Sequence, residues 1–315
     1  MNGGFCVFGL GSVGMLLSLF LHKGSNKPVI GVVRRWEQAR AIAEARGVRV
    51  RGLVEGFAPV IPIVFSDDPR VRCKFAIVAT KAYDAPRAVG AAVRVASEGV
   101  LVAGNGFGGL EEAYKHGAEA AGIVVEYGVT RLNDVEAEVR GLGRLVLGGY
   151  RGRGVNVARA VGEILQRGGA RVSIVEDVEP WRWLKASINA SLNPLAALLG
   201  RENGVVLEVG EAWEVASRAA REVGLIAKAL GINLPEDPVE ALKRVADATR
   251  GNISSTLQDL RSCRKTEVEE INGYIVRAAG RASVSAPTVE TLYLLLKSLE
   301  RVVLESCGGS SRPGT

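Results

Sequence analysis

Histidine is nearly absent: the 315 residues include only His22 and His116. Chemistry that depends on imidazole therefore has few candidates. Cysteine is as sparse. Cys6, Cys73, Cys263 and Cys307 lie far apart and form no CxxC, which argues against a metal site. Reduced thiols are the expectation. However, a composition rich in Glu and Arg and poor in Gln resembles that of thermophile proteins, in which intracellular disulfides occur, so pairing stays open. Aromatic residues make up only 5 %, and no RRM or zinc finger is present. Base-stacking recognition of nucleic acid is thus not expected. The net charge of +6 comes from scattered residues and reads as a solvated, mildly basic surface that suits anionic small molecules. With 47 % hydrophobic and 23 % charged residues, the composition is globular.

Long apolar runs are missing as well. The longest candidate is the uncharged opening from Phe5 to Leu21, which is shorter than a membrane span and is broken by Gly9, Gly11 and Gly14. Nothing basic precedes it and no small-residue cleavage site follows, so it does not read as a signal peptide. A cytoplasmic protein with no membrane partner is expected. Phe5-Cys6-Val7-Phe8 reads as a buried parallel strand and Met15 to Leu21 as a buried helix. Between them stands GLGSVG: Gly9, Leu10, Gly11, Ser12, Val13, Gly14. Strand, GxGxxG and helix in that order form a dinucleotide fingerprint. Gly9 makes the turn, Gly11 admits a pyrophosphate to the backbone, and Gly14 lets helix and strand pack. The helix N-terminus offers free N–H groups and its dipole. The second strand, residues 28–33, ends in Arg34 and Arg35 where an NAD site has an acid. A guanidinium suits a 2′-phosphate, which favours NADPH; as plain surface charges the arginines would leave NADH use open.

Strand and helix signals alternate through the first half. Helices are expected near residues 37–46, 85–96 and 155–167, with extended segments at 48–65, 74–80, 99–103, 123–129, 138–140, 145–149 and 171–175. After Glu176-Asp177 only helical spacing remains, over 181–199, 205–230, 238–249, 267–281 and 289–307. The fold expected is α/β: an N-terminal Rossmann-type, doubly wound parallel sheet over 1–176, then an all-helical domain over 177–308. A Gly/Ser/Pro-rich tail follows, disordered over 309–315.

Ligands bind at the strand-end loops of such sheets. Lys81 ends one strand and Asn105, between glycines, ends the next. Lys81 reads as a phosphate or ribose contact or as an exposed loop lysine. Asn105 reads as a ligand or as a turn residue. In the helical half, Lys185, Asn189 and Asn193 are spaced i, i+4, i+8 and share one helix face. Asparagine is a poor interior helix residue, so two in register beside a lysine are locally unfavourable, as functional sites often are. A polar stripe between helices is the plainer alternative. With no usable histidine, the lysine suggests a general acid for a carbonyl oxygen. Further on, Thr266 and Glu269 fit a capping box that starts a helix at Glu267. One continuous helix would set Ser255 and Glu267 roughly 18 Å apart; a break near residues 261–266 would let them approach. Glu267 also reads simply as a dipole-stabilised first-turn acid.

Two stretches, LKASINASLNPLAAL and SSTLQDLRSCRKTEVEEINGYIV, together with GLGSVG, carry a resemblance to the ketopantoate reductase family over nearly the whole chain. The resemblance implies NADPH-dependent reduction of 2-dehydropantoate to (R)-pantoate, on the way to pantothenate and coenzyme A. It implies Lys185 as the catalytic lysine, and Asn189, Asn193, Asn203 and Ser255 as substrate ligands. It also implies Arg34, Lys81 and Asn105 as cofactor contacts, with Asn105 near the substrate too, and Glu267 as an acid near the cofactor ribose. Asn203 reads independently as an N-cap before Val205. The family usually has glutamine where Gly104 stands, which bears on fine specificity. A related 3-hydroxyacid dehydrogenase and a non-catalytic NADPH-binding regulator are the alternatives. A keto acid is the expected partner, and a homodimer is left open.

Overall fold

The uncharged opening folds as strand β1 (Asn2–Phe8) and helix α1 (Ser12–Ser25). Every residue of α1 from Gly14 to Leu21 is buried, as suits a helix that is apolar all round. The computed structural model describes residues 2–66 and 71–309. It divides into two units, Met1–Val178 and Glu179–Thr315.

In the first unit the chain continues through β2 (Val29–Val33), α2 (Trp36–Ala45), β3 (Gly47–Gly52), β4 (Gly56–Val64) and β5 (Arg72–Val78). It goes on through α3 (Ala85–Val95), β6 (Ala96–Val102), α4 (Gly109–Lys115) and β7 (Ala120–Val125). Then come β8 (Gly128–Arg131), β9 (Glu136–Gly141), β10 (Leu145–Gly149), α5 (Val155–Arg167) and β11 (Val172–Asp177). The strands form one sheet, ordered β11-β10-β7-β6-β5-β1-β2-β4-β3-β9-β8. From β7 to β4 every neighbouring pair is parallel. β2, β7 and β10 are buried at every position, the pattern of strands covered on both faces. Antiparallel pairs enter only outside that block, at β7–β10, β4–β3 and β9–β8. The chain leaves β1 for β2 on one side and returns to β5 on the other, so the end of β1 is the switch point of the sheet.

The second unit is helical: α6 (Glu179–Leu199), α7 (Val205–Glu208), α8 (Gly210–Ala229), α9 (Pro238–Ala248), α10 (Ser255–Arg261), α11 (Tyr274–Ala282) and α12 (Pro287–Gly309). Helix α6 is its axis and packs against α7, α8, α9, α10 and α12. Among the described residues, no helix is long and apolar enough to cross a membrane.

Several local expectations are corrected. Helix α4 had no counterpart in the sequence reading, because seven residues are too few to show a period. The helix expected over 205–230 is two helices, parted at Val209, whose backbone is extended. The helix expected from Glu267 opens instead with a wide turn, Glu269–Gly273, in which the Gly273 N–H reaches Val268 O at 3.0 Å. The Thr266–Glu269 capping box does not form. The Glu269 carboxylate accepts from the Tyr293 hydroxyl at 2.6 Å and from Arg277. These are stronger partners than a single backbone N–H, and the Tyr293 hydroxyl, with Arg277 behind it, holds the Glu269 carboxyl below its usual range. Thr266 is served from α12: its N–H and its hydroxyl both donate to the buried Glu300, each at 2.6 Å. The tail expected from residue 309 is corrected at its first position, since α12 takes in Gly309; residues 310–315 lie outside the described residues.

The expectation of reduced thiols fails for one pair. Cys263 and Cys307 form a disulfide that ties the loop after α10 to the end of α12. Cys6 and Cys73 are free and buried on the neighbouring strands β1 and β5. The adjacent Cys73 thiol and burial push the Cys6 thiol up. The disulfide spans 44 residues of sequence, and loop closure of that size is worth about 4 kcal/mol. Cys263→Ser is therefore expected to lower the unfolding temperature of the helical unit on the order of 10 °C. Reductant should do the same to the wild type in calorimetry; an unchanged transition in both would refute the cross-link.

Candidate active site

At the switch point the three glycines have separable jobs. Gly9 takes φ +88°, and its N–H donates to Val32 O at 2.8 Å. A Cβ there would lie 3.0 Å from Ala79 O and 2.9 Å from the Thr80 methyl, so the loop after β1 lies against the loop after β5. A Cβ on Gly14 would lie 2.0 Å from Gly9 O, so helix α1 can approach the turn only without a side chain at that position. Gly11 is the opposite case: nothing lies within 4 Å of where its Cβ would be. That open position precedes Ser12, Val13 and Gly14, whose N–H groups open α1 without helical acceptors. An open, glycine-lined backbone at a helix N-terminus fits a pyrophosphate.

The neighbouring strand ends complete this edge. The Ala79 N–H donates to Phe8 O and the Ala103 N–H to Val78 O, both at 2.8 Å, so the ends of β1, β5 and β6 are held in step. A Cβ on Gly104 would stand 3.2 Å from Thr80 O; glycine lets the loop carrying Asn105 sit close to the loop carrying Lys81. Lys81 and Asn105 are both half-buried. Thr80 Oγ1 is buried with no hydrogen-bond partner, a signal the sequence did not provide. Gln38 was also missed. From α2 its buried side chain donates to Leu10 O at 2.8 Å and Asp134 O at 3.3 Å, fixing the glycine loop from behind.

Just past β2, Arg34 forms an exposed ion pair with Asp84 at 3.1 Å. Asp84 closes the short turn Ala82–Asp84 that follows Lys81. Arg35 pairs with Asp134, which Arg131 shares. Each arginine thus has an acidic neighbour from a distant segment. An exposed pair such as Arg34–Asp84 is weak and easily exchanged for another anion.

In the second unit, α6 presents Lys185, Asn189 and Asn193 along one face. Lys185 and Asn189 are half-buried, and Asn193 is 8 % exposed. The start of α6 is anchored by Glu179, which accepts from the Trp183 indole at 3.1 Å and from Arg182 at 2.5 Å. The Ser187 and Ser191 hydroxyls are turned back onto Leu184 O and Ser187 O, at 2.8 Å and 2.7 Å. Asn203 does not cap α7; Gly204 opens that helix, with no side-chain cap. The Asn203 amide nitrogen donates to Thr249 Oγ1 at 3.0 Å, while its Oδ1 is buried without a partner and can accept from a ligand O–H. Ser255 is the exposed first residue of α10, and the cap is Ser254, which accepts from the Leu257 N–H at 3.2 Å. Its hydroxyl is not used in capping. The helix break between Ser255 and Glu267 is present at residues 262–268. Glu267 is buried, and its carbonyl accepts the Ile271 N–H at 3.0 Å. Beside it, burial pushes the Glu270 carboxyl up, and Glu270 Oε2 is buried and unpartnered. Among the described residues no cluster of His, Cys, Asp and Glu could hold a metal ion.

The glycine geometry separates two variants. Gly14→Ala is expected to destabilise the N-terminal unit, because its Cβ meets a carbonyl. Gly11→Ala has room, so its melting temperature should match the wild type while binding of a nicotinamide dinucleotide weakens about tenfold or more. Thermal unfolding and titration calorimetry read the two effects; undiminished binding by Gly11→Ala would refute the cradle.

Comparison with known proteins gives the same architecture. The family model for ketopantoate reductase PanE/ApbA matches residues 5–152, and the model for its C-terminal part matches residues 177–300. A 2-dehydropantoate 2-reductase of Pyrobaculum aerophilum is 37 % identical over 93 % of this chain and 97 % of its own. One from Archaeoglobus fulgidus is 30 % identical over the same shares. Among solved structures, a 2-dehydropantoate 2-reductase of Methylococcus capsulatus superposes with TM-score 0.80 at 27 % identity, covering 96 % of this chain and 98 % of that one. D-mandelate dehydrogenase, solved with NADH and anilino(oxo)acetate, shares the fold at TM-score 0.85 and 20 % identity, over 96 % and 99 % of the two chains. With both halves of the model matched and a relative this close along nearly its full length, the chain belongs to the ketopantoate reductase family.

Proposed function

We propose that the chain is a cytoplasmic NADPH-dependent 2-dehydropantoate 2-reductase that forms (R)-pantoate for pantothenate and coenzyme A synthesis. The observation that carries this reading is the α6 face, where Lys185, Asn189 and Asn193 stand in register in a helix buried along most of its length. The relatives named 2-dehydropantoate 2-reductase support the substrate. The backbone of Gly9, Leu10, Gly11, Ser12, Val13 and Gly14 would hold the pyrophosphate. Lys81, Asn105 and Glu267 would contact other parts of the dinucleotide, with Asn105 serving the substrate as well. Arg34 would hold the 2′-phosphate. When bound, NADPH supplies the hydride that adds to C2 of the keto acid.

The chain's own residues do the rest. Asn189, Asn193, Asn203 and Ser255 bind the hydroxyl and carboxylate ends of the substrate and orient its ketone. The unpartnered Asn203 Oδ1 is suited to accept from the substrate hydroxyl. Lys185 holds its ammonium at the C2 oxygen, stabilises the charge that develops there, and donates the proton that completes the alcohol. Lys185→Ala should lower kcat by about 10² to 10⁴ with the fold intact. The readout is loss of NADPH absorbance with ketopantoate, and near-normal turnover would overturn the role.

The Arg34 guanidinium at the end of β2, held only by a weak exposed pair with Asp84, supports NADPH and leaves NADH use open. Arg34→Ala should shift the NADPH/NADH ratio of kcat/KM toward NADH by about tenfold, and Asp84→Asn should shift it the other way. An unchanged ratio in both variants would remove Arg34 from the phosphate site.

A further inference from the structure

Helix α6 carries a proline in its interior, Pro194. A proline nitrogen has no hydrogen, so the carbonyl four residues back, that of Ala190, loses its helical donor. Ala190 is fully buried, which leaves no water to take the donor's place. The replacement comes from 82 residues away, where Asn272 Nδ2 donates to Ala190 O at 3.0 Å. Asn272 is itself 2 % exposed. It sits in the wide turn Glu269–Gly273, a form in which side chains leave the ordinary helical register, and such turns recur at functional positions. The same turn takes the Ile271 N–H onto the Glu267 carbonyl. Ala190 lies directly after Asn189 and three residues before Asn193.

We infer that Asn272 is a positioning residue for the amides of α6: by supplying the hydrogen bond that Pro194 removes, it holds the helix segment that presents Asn189 and Asn193 to the keto acid. It touches neither substrate nor cofactor. The assignment rests on the reading of α6 as the substrate-binding face. Proline makes the helix depend on an outside donor at this point, and asparagine provides one from the segment that also carries Glu267. Losing that donor would strand a buried carbonyl, and the local backbone would turn to find another partner.

The test uses Asn272→Leu, of similar size but with no donor, and the double variant P194A/N272L, in which residue 194 regains an N–H for Ala190 O. In Asn272→Leu the KM for ketopantoate should rise roughly tenfold. The kcat and the dissociation constant for NADPH should change little. Amide hydrogen exchange of residues 186–196 should quicken. The double variant should recover both KM and slow exchange. Unchanged KM and exchange in a folded Asn272→Leu would overturn the inference. So would a lowered melting temperature as the only effect, or a double variant that recovers neither quantity. Should Asn272→Leu fail to fold, the double variant decides alone: wild-type KM supports the inference, and an impaired or unfolded protein overturns it. If the wild type turns over no keto acid, it is the functional reading that fails. The exchange measurements then still decide whether Asn272 holds α6.

Discussion

Helix α1 can reach the end of β1 only because residue 14 has no side chain: a Cβ there would sit 2.0 Å from the Gly9 carbonyl. Much of the N-terminal unit depends on this contact. It brings the free N–H groups of the helix to the switch point of the sheet, beside the ends of β5 and β6. It also explains why the opening of the chain is so apolar. Strand and helix are both covered, so neither has a face to give to charge. Next to Gly11, by contrast, an anion has room.

The helical unit has a different organising element. Helix α6 is buried along most of its length, yet carries a lysine, two asparagines, two serines and, in its interior, a proline. The asparagines, serines and proline each weaken a helix locally, by competing for backbone hydrogen bonds or by removing one. The surroundings compensate at particular points. Glu179 anchors the start of the helix, the serine hydroxyls find carbonyls within it, and Asn272 serves the carbonyl that Pro194 leaves behind. Helix α12 plays a similar part for the segment before Glu267. Glu300 takes the N–H and hydroxyl of Thr266, and Cys307 is bonded to Cys263. Polar groups that are unfavourable in isolation are retained where neighbours hold them in place, which suits the substrate site proposed for this helix.

What was legible in the sequence was what repeats or sits within one turn. Apolar strands, amphipathic helices and the GLGSVG fingerprint all announce themselves over short windows. The i, i+4, i+8 spacing of Lys185, Asn189 and Asn193 does so too, since one helix face follows from helical pitch alone. The failures were also local in kind. The Thr266–Glu269 spacing suggested a capping box, but Tyr293 and Arg277 took the Glu269 carboxylate. Asn203 looked like a cap, and its amide instead met Thr249. Helix α4 was too short to show a period.

By itself the sequence determined the two-part architecture, the nucleotide-type turn and the polar helix face, because each depends on backbone geometry between residues close in the chain. Only the tertiary structure decided which distant partner each polar group would take. Asp84 lies beside Arg34, Gln38 behind Leu10, Glu300 on Thr266, Cys307 on Cys263, and Asn272 on the carbonyl orphaned by Pro194. Those pairings join residues tens of positions apart. Side-chain hydrogen bonds act over about 3 Å, so no pattern along the chain encodes them until folding has brought the partners within that reach.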